Sequence, residues 1–230
     1  MVSDAVPSRR FRLIVFDWDG TLVDSTGLIA QSLQQACREI GAPVPDAGSA
    51  RHVIGLGLRD ALRYAAPALA EERYPELAGR YRDHYVAGER EIRLFGGVRE
   101  LLDELDAAGF LLAVATGKGR AGLERALALQ GLTHRFFATR CADEGHPKPH
   151  PDMLLHLMER AGAGPEATLM IGDTSHDLEL ARSAGAAAVA VSWGAHPADG
   201  LADFGALATV HSIAELRQWL RLNAWRATRG

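Results

Sequence analysis

A chain of 230 residues, 47% hydrophobic and 23% charged, carries enough apolar side chains for one large or two small domains. A formal net charge of -4, with the 25 lysines and arginines mostly interleaved among acids, excludes a basic footprint for nucleic acid, and no apolar run reaches membrane-spanning length. Cys37 and Cys141 stand far apart with no Cys-x-x-Cys and read as free thiols of a reducing compartment; with no apolar segment of signal-peptide length near Met1, a cytoplasmic location is expected.

The first element is Leu13-Ile14-Val15-Phe16, an apolar run of the kind that forms a strand buried on both faces. It runs into Asp17-Trp18-Asp19-Gly20-Thr21-Leu22-Val23-Asp24-Ser25, two carboxylates one residue apart and then a Gly-Thr turn. Asp-Gly is also a common turn dipeptide, and Asp-x-Asp-Gly also opens calcium loops. The calcium pattern fails, because Leu28 stands where that loop needs its last glutamate. Helices follow. Leu28, Ile29, Leu33, Ala36, Cys37 and Ile40 line one face, Gly41-Ala42-Pro43-Val44-Pro45 breaks the pattern, and further helices are predicted over Leu58 to Ala66 and Glu71 to Val86. No strand pattern occurs between Asp24 and Phe95, which predicts a helical cap subdomain over residues 25–95, inserted in a core of residues 1–24 and 96–230.

From Gly97 onward helix and strand alternate. Val98 to Ala108 reads as a helix closed by Gly109, and Phe110 to Ala115 as a strand ending at Thr116. A helix over Gly119 to Leu129 and a short strand over Phe136 to Thr139 follow. Next come a helix over Pro151 to Ala161 and a strand over Thr168 to Ile171, ending at Gly172-Asp173. A helix from about Asp177 to Ala184, a strand over Ala186 to Val191, an edge strand at Ala208 to Val210 and a helix over Ile213 to Leu222 complete the chain. This order predicts an α/β fold with a doubly wound, Rossmann-like parallel sheet.

Ligands of such sheets sit outside the carboxyl ends of the strands, so Asp17 with Asp19, Thr116, and Asp173 with Asp177 would share one crevice. Close carboxylates resist joint ionisation unless a cation lies between them or one keeps its proton. Lys148 sits in His146-Pro147-Lys148-Pro149-His150-Pro151, where flanking prolines hold the loop extended and aim a long side chain. Carboxylates, a hydroxyl, glycine-flanked amides and a fixed cation together answer the needs of phosphoryl transfer, and magnesium binds through one or two carboxylates plus a substrate phosphate.

With these four pieces in order, the sequence resembles the haloacid dehalogenase superfamily of phosphohydrolases over nearly its whole length. Asp17 to Ser25 matches the family's first motif, Asp-x-Asp-Gly-Thr-Leu-x-Asp-Ser. Thr116 is in the position of the second, Lys148 in Lys-Pro-x-Pro of the third, and Gly172-Asp173-Thr174-Ser175-His176-Asp177 of the fourth. The resemblance implies that Asp17 attacks phosphorus and holds Mg2+ with its other oxygen. It implies that Asp19 serves as acid and then base while its carbonyl binds the metal, and that Asp173 completes the ligands. Thr116, the Gly117 amide and Lys148 would hold the phosphate, with Asp177 orienting Lys148. Other readings apply to single residues. Asp177 is also a first-turn helix acid, Lys118 reads as a surface residue near the rim, and Trp193 as packing at a strand end. Asp24-Ser25 read as the turn into the cap, and the spacing of His146, His150 and His176 matches no common zinc pattern.

The resemblance further implies that the helical insert closes over the site and selects a small phosphorylated metabolite. Arg51-His52-Val53-Ile54-Gly55-Leu56-Gly57-Leu58-Arg59 is similar to the substrate loop of phosphoglycolate phosphatases. Arg51, Arg59 or Arg63 would then pair with a substrate carboxylate, an exposed helix arginine being the plainer reading. Ala-Thr-Gly-Lys-Gly-Arg departs from that group's Thr-Asn-Lys-Pro, and Leu94-Phe95-Gly96-Gly97-Val98 from its Pro-Gly-Val hinge. A β-phosphoglucomutase-like mutase and a catalytically silent, phosphate-sensing or protein-binding module are the alternatives.

Overall fold

Leu13–Phe16 (β1) is buried along its whole length and forms a middle strand of the sheet in the computed structural model, which describes residues 9–225. The expectations for residues 1–8 and 226–230, the leader reading among them, lie outside the described residues. After β1 come the helices Thr26–Glu39 (α1), Ala47–His52 (α2), Leu58–Ala65 (α3) and Tyr74–Gly88 (α4). Val98–Ala107 (α5), Leu111–Thr116 (β2), Arg120–Leu129 (α6), Ala138–Cys141 (β3) and Asp152–Ala161 (α7) follow. Thr168–Gly172 (β4), Ser175–Ser183 (α8), Ala187–Val191 (β5), Ala198–Leu201 (α9), Thr209–Val210 (β6) and Ile213–Asn223 (α10) complete the order.

All six strands are parallel, in the order β3-β2-β1-β4-β5-β6. The chain works outward from β1 through β2 to β3, then returns to place β4 on the other side of β1. That reversal opens a crevice at the carboxyl ends of β1 and β4. Alternate residues of β1 enter opposite layers. Ile14 and Phe16 pack with Leu102 of α5, Leu123 of α6 and Leu216 of α10. Leu13 and Val15 pack with Leu154 of α7 and Leu178 of α8. Helices on both faces are why the central strands read as unbroken apolar runs. This is the doubly wound α/β fold that the sequence predicts.

The inserted helices have a core of their own, with Leu33 and Cys37 of α1, Ala50 of α2, Leu62 of α3 and Leu77 of α4. The chain enters and leaves them through two adjacent segments. Asp24 N–H donates to the Arg93 carbonyl at 2.9 Å, Phe95 N–H donates to the Leu22 carbonyl at 3.0 Å, and Val23 pairs antiparallel with Leu94.

Three local readings change. Helix α2 has little apolar pattern and is started instead by Asp46, whose carboxylate accepts from Ser49 N–H at 2.8 Å. Strand β3 begins two residues after the predicted Phe136, because Phe137 is 43% exposed and Phe136 packs edge-on against Trp18 instead. The Lys148 loop is a tight turn with a cis Lys148-Pro149 bond, rather than extended.

Candidate active site

Asp17 follows β1 directly, and its N–H donates to the Ile171 carbonyl of β4 at 2.9 Å. That bond carries the pairing one residue past Phe16 and sets the carboxylate at the reversal of strand order. Oδ1 accepts from Lys148 Nζ at 2.5 Å, while Oδ2 is buried with no hydrogen-bond partner among the described residues. A buried, unpartnered carboxylate oxygen is costly unless a cation or ligand completes it.

Asp173 leaves β4 beside it. Its Oδ1 accepts from Thr21 Oγ1 at 2.7 Å, and its Oδ2 from Ala195 N–H at 2.7 Å. Gly20, at φ +84°, and Gly194 press so close that a Cβ on either would run into this carboxylate. Asp177, in the first turn of α8, does two jobs at once. Oδ2 accepts from Thr174 N–H and Oγ1 as the reciprocal half of a capping box, and Oδ1 accepts from Lys148 Nζ at 2.6 Å. The cap and the lysine contact are therefore one arrangement, not competing readings.

Oxygens of Asp17, Asp173 and Asp177 all lie within 4.8 Å of one another. One lysine among three carboxylates leaves two negative charges uncompensated when all are ionised, the charge of a divalent cation. Burial pushes the Asp17 carboxyl well above its ordinary range; Lys148 opposes this, and Asp177 and Asp173 add to it. Burial, and then Asp177, push Asp173 up to about 7. Burial disfavours a charged Lys148, but Asp17 and Asp177 outweigh it and raise its pKa.

The Asp19 side chain is turned away from this group. Oδ1 accepts from Ser25 Oγ at 2.6 Å, and Oδ2 lies 3.1 Å from Lys118 Nζ. Lys118 also donates to Tyr85 Oη of α4 at 2.8 Å. Two readings are corrected here. Lys118 is not a rim surface residue, since its side chain is only 10% exposed. Ser25 does more than turn the chain into the insert, because it holds Asp19. Thr116 ends β2 fully buried, with Oγ1 accepting from Lys118 N–H at 3.2 Å. Gly117 meets the insert's loop so closely that a Cβ would lie 2.6 Å from the Gly55 carbonyl oxygen and nearer still to that of Leu56.

Asp17, Asp19, Gly117 and Lys118 line a cavity of about 670 Å³ between sheet and insert. Thr116, Lys148, Asp173 and Asp177 lie behind that floor. Of Arg51, Arg59 and Arg63, only Arg59 lines the cavity. Arg59 reaches the lining but shares Glu71 with Arg63, and their side chains are 74% and 42% exposed. Arg51 is exposed on α2. His146 and His150 stack on each other, apart from His176. His176 instead joins His196 of the core, and both ring Nε2 atoms bond the His52 carbonyl of the insert, at 2.9 and 3.1 Å. Trp193 packs edge-on against Phe95 at the hinge, as a packing residue would.

Thr21 and Ser25 sit inside the first motif, and Lys118 two residues after Thr116, so their neighbourhood was a usable signal. Tyr85, His52 and His196 carry none, because only the folding of the insert onto the core brings them in.

Carboxylates and a lysine gathered over the reversal of a doubly wound sheet, with a helical insert above, give the outline of an α/β enzyme. The haloacid dehalogenase-like hydrolase family is matched over residues 14–191, and the chain belongs to that family. It is 39% identical over 194 residues to the probable phosphatase IndB of Dickeya dadantii, covering 82% of this chain and 84% of that protein. It is 34% identical over 217 residues to the tyrosine-protein kinase PtkA of Mycobacterium tuberculosis, covering 93% of this chain and 74% of that one. The crystal structure of a predicted phosphoglycolate phosphatase from Haemophilus somnus superposes with a TM-score of 0.79 at 27% identity, covering 91% and 97% of the two chains.

Proposed function

We propose that this hydrolase is a Mg2+-dependent phosphatase of small phosphorylated metabolites, similar to phosphoglycolate phosphatases, working through an aspartyl-phosphate. The observation that carries the reading is Asp17. Its carboxylate is held on one oxygen by Lys148 and left without a partner on the other, at the floor of the cavity. In the first half-reaction a carboxylate oxygen of Asp17 bonds to phosphorus as the ester P–O bond breaks, and Asp19 gives the departing alcohol its proton. In the second, Asp19 takes a proton from water, whose oxygen bonds to phosphorus as the Asp17–phosphorus bond breaks, releasing inorganic phosphate.

The Gly117 amide and the Thr116 hydroxyl are the donors for the phosphoryl oxygens. Lys148 balances the charge of nucleophile and phosphate, and Asp177 keeps Lys148 in place. The donor set fits a divalent cation: the unpartnered Asp17 Oδ2, Asp173 and the backbone carbonyl of Asp19 would hold it. When bound, Mg2+ supplies charge neutralisation for the approach of the phosphate to the acids. The insert of residues 25–95 acts as a cap, hinged at the paired segments around Val23 and Leu94, and its closure excludes water from the cavity.

A mutase and a kinase-like transfer share the first half-reaction and differ in what takes the phosphoryl group. Phosphate release from small phosphate esters, sugar phosphates, nucleotides and pyrophosphate, with Mg2+ and with chelator, separates them. The expected result is Mg2+-dependent release concentrated on one ester class. Label passing to a sugar or a protein without release would replace hydrolysis by transfer. No turnover and no labelling of a folded chain would favour the silent binding module.

A further inference from the structure

Resting on the phosphatase reading, we infer that the alcohol half of the substrate is a largely apolar body far larger than a two-carbon acid. The cavity of about 670 Å³ lies in the range that encloses a drug-sized ligand. Its walls above the floor are apolar side chains of the insert. Ile29 and Leu33 come from α1, Ile54 from the loop after α2, and Leu62 from α3, each at most 8% exposed. The ring of Tyr81, from α4, closes the same side.

Three of the four cations of the lining are engaged by acids. Arg59 is drawn to Glu71, and Arg125 to Glu89 at 3.1 Å. Lys118 is held between Asp19 and Tyr85, and Arg82 stands exposed on α4. Asp60 and Asp143 also line the cavity and would repel a second anion. A substrate carboxylate seated against Ile29, Leu33, Ile54 and Leu62 would be desolvated by those side chains, a heavy penalty. An apolar body would instead bury its surface against α1 and α3. At the inner end, Lys118 Nζ, 3.1 Å from Asp19, and Tyr85 Oη, bonded to Lys118, are placed to orient the ester oxygen.

The test is the kcat/KM of the full chain with Mg2+ for ethyl, hexyl and 3-phenylpropyl phosphate against phosphoglycolate, alcohols chosen to limit differences in leaving-group strength. A rise of at least about 10-fold from ethyl to phenylpropyl phosphate, mainly through KM, with phosphoglycolate below phenylpropyl phosphate, is expected. Phosphoglycolate equal to or better than phenylpropyl phosphate overturns the assignment while leaving the phosphatase reading intact. Calorimetric binding of 3-phenylpropylphosphonate and of phosphonoacetate to the same protein makes the comparison independent of turnover. Tighter binding of phosphonoacetate overturns the assignment even if no ester is hydrolysed. In the half-exposed wall position, Leu58→Arg is expected to reverse that order of binding, and an unchanged preference would show that this wall does not read the ligand.

Discussion

Asp17 and Asp19 are one residue apart in sequence and differ in every contact, which separates their roles. Asp17 faces Lys148 and the other buried acids, whereas Asp19 faces Ser25, Lys118 and the cavity. Asp17→Asn is expected to reduce phosphate release roughly 10⁴-fold or more with an unchanged melting temperature; retained release would end the covalent mechanism. Asp19→Asn is expected to slow turnover about 10²–10⁴-fold and to let phosphorylated protein accumulate, visible as an added phosphoryl mass under acid quench. Lys118→Met tests the bridge from acid to insert. Misplacing Asp19 is expected to lower kcat on the order of 10²-fold, with a smaller loss for Tyr85→Phe; a kcat equal to wild type would reduce Lys118 to packing. That the acids and Lys148 meet was legible in the sequence because each lies in a short, spaced motif, Asp17, Asp19 and Asp173 after strand ends, Asp177 in the first turn of α8 and Lys148 between two prolines. Lys118 was not, because a lysine in a Gly-rich stretch is ordinarily solvated, and only the fold brings Asp19 and Tyr85 together around it.

Two contacts between elements decide how the insert sits on the sheet. At one, the carbonyls of Gly55 and Leu56 rest against Gly117. Gly117→Ala is expected to lift the loop, raising KM more than it lowers the melting temperature; unchanged kinetics would mean that the loop is free to move aside. At the other, the His52 carbonyl at the end of α2 accepts from His176 on α8 and from His196, while the His52 ring stacks on His196 and lies tilted against Tyr64 of α3. Burial pushes His176 down to about 4, the His52 carbonyl opposing this, His196 adding to it and Asp177 opposing it. The unfolded chain therefore takes up this proton first as pH falls. The contribution is present above the ordinary histidine range near 6.5 and is lost as pH falls toward about 4. The difference in melting temperature between wild type and His176→Gln is expected to shrink over that window, and a difference constant with pH would remove the histidine from the account. The strands were legible because both of their faces are covered. Helix α2 was not, since its six residues include Gly48 and Ser49, and its position is set by the histidines it meets.

For the whole molecule, the sheet order concentrates buried negative charge at one point, and this sets its response to metal and pH. The sequence pattern carried the sheet, its helical layers and the insert, because burial leaves periodic traces. Which insert side chains face the cavity leaves no such trace, so Arg51 and Arg63, which do not line it, were named beside Arg59, which does, while Leu33, Leu62 and Tyr81 of its wall were not. With no cation bound, Asp173 ionises near 3.8 when unfolded and at about 7 when folded. The folded state then holds the extra proton, so stability falls as pH rises through that interval, opposite in sign to His176. A divalent cation must displace this proton to bind, so its stabilising effect grows across the same interval. Chelated protein is expected to lose melting temperature between pH 5 and 8 in a background of His176→Gln, which removes the opposing histidine. Mg2+ at about 100 times its dissociation constant is expected to restore about 2.7 kcal/mol at pH 8, a rise on the order of 5–10 °C, and much less at pH 5. Asp173→Asn should abolish the response to Mg2+ and lessen the fall with pH, leaving the part that the raised Asp17 carboxyl contributes. A Mg2+ response of equal size at both pH values would mean that the cation binds away from Asp173, and the ligand set drawn from Asp17, Asp19 and Asp173 would be wrong.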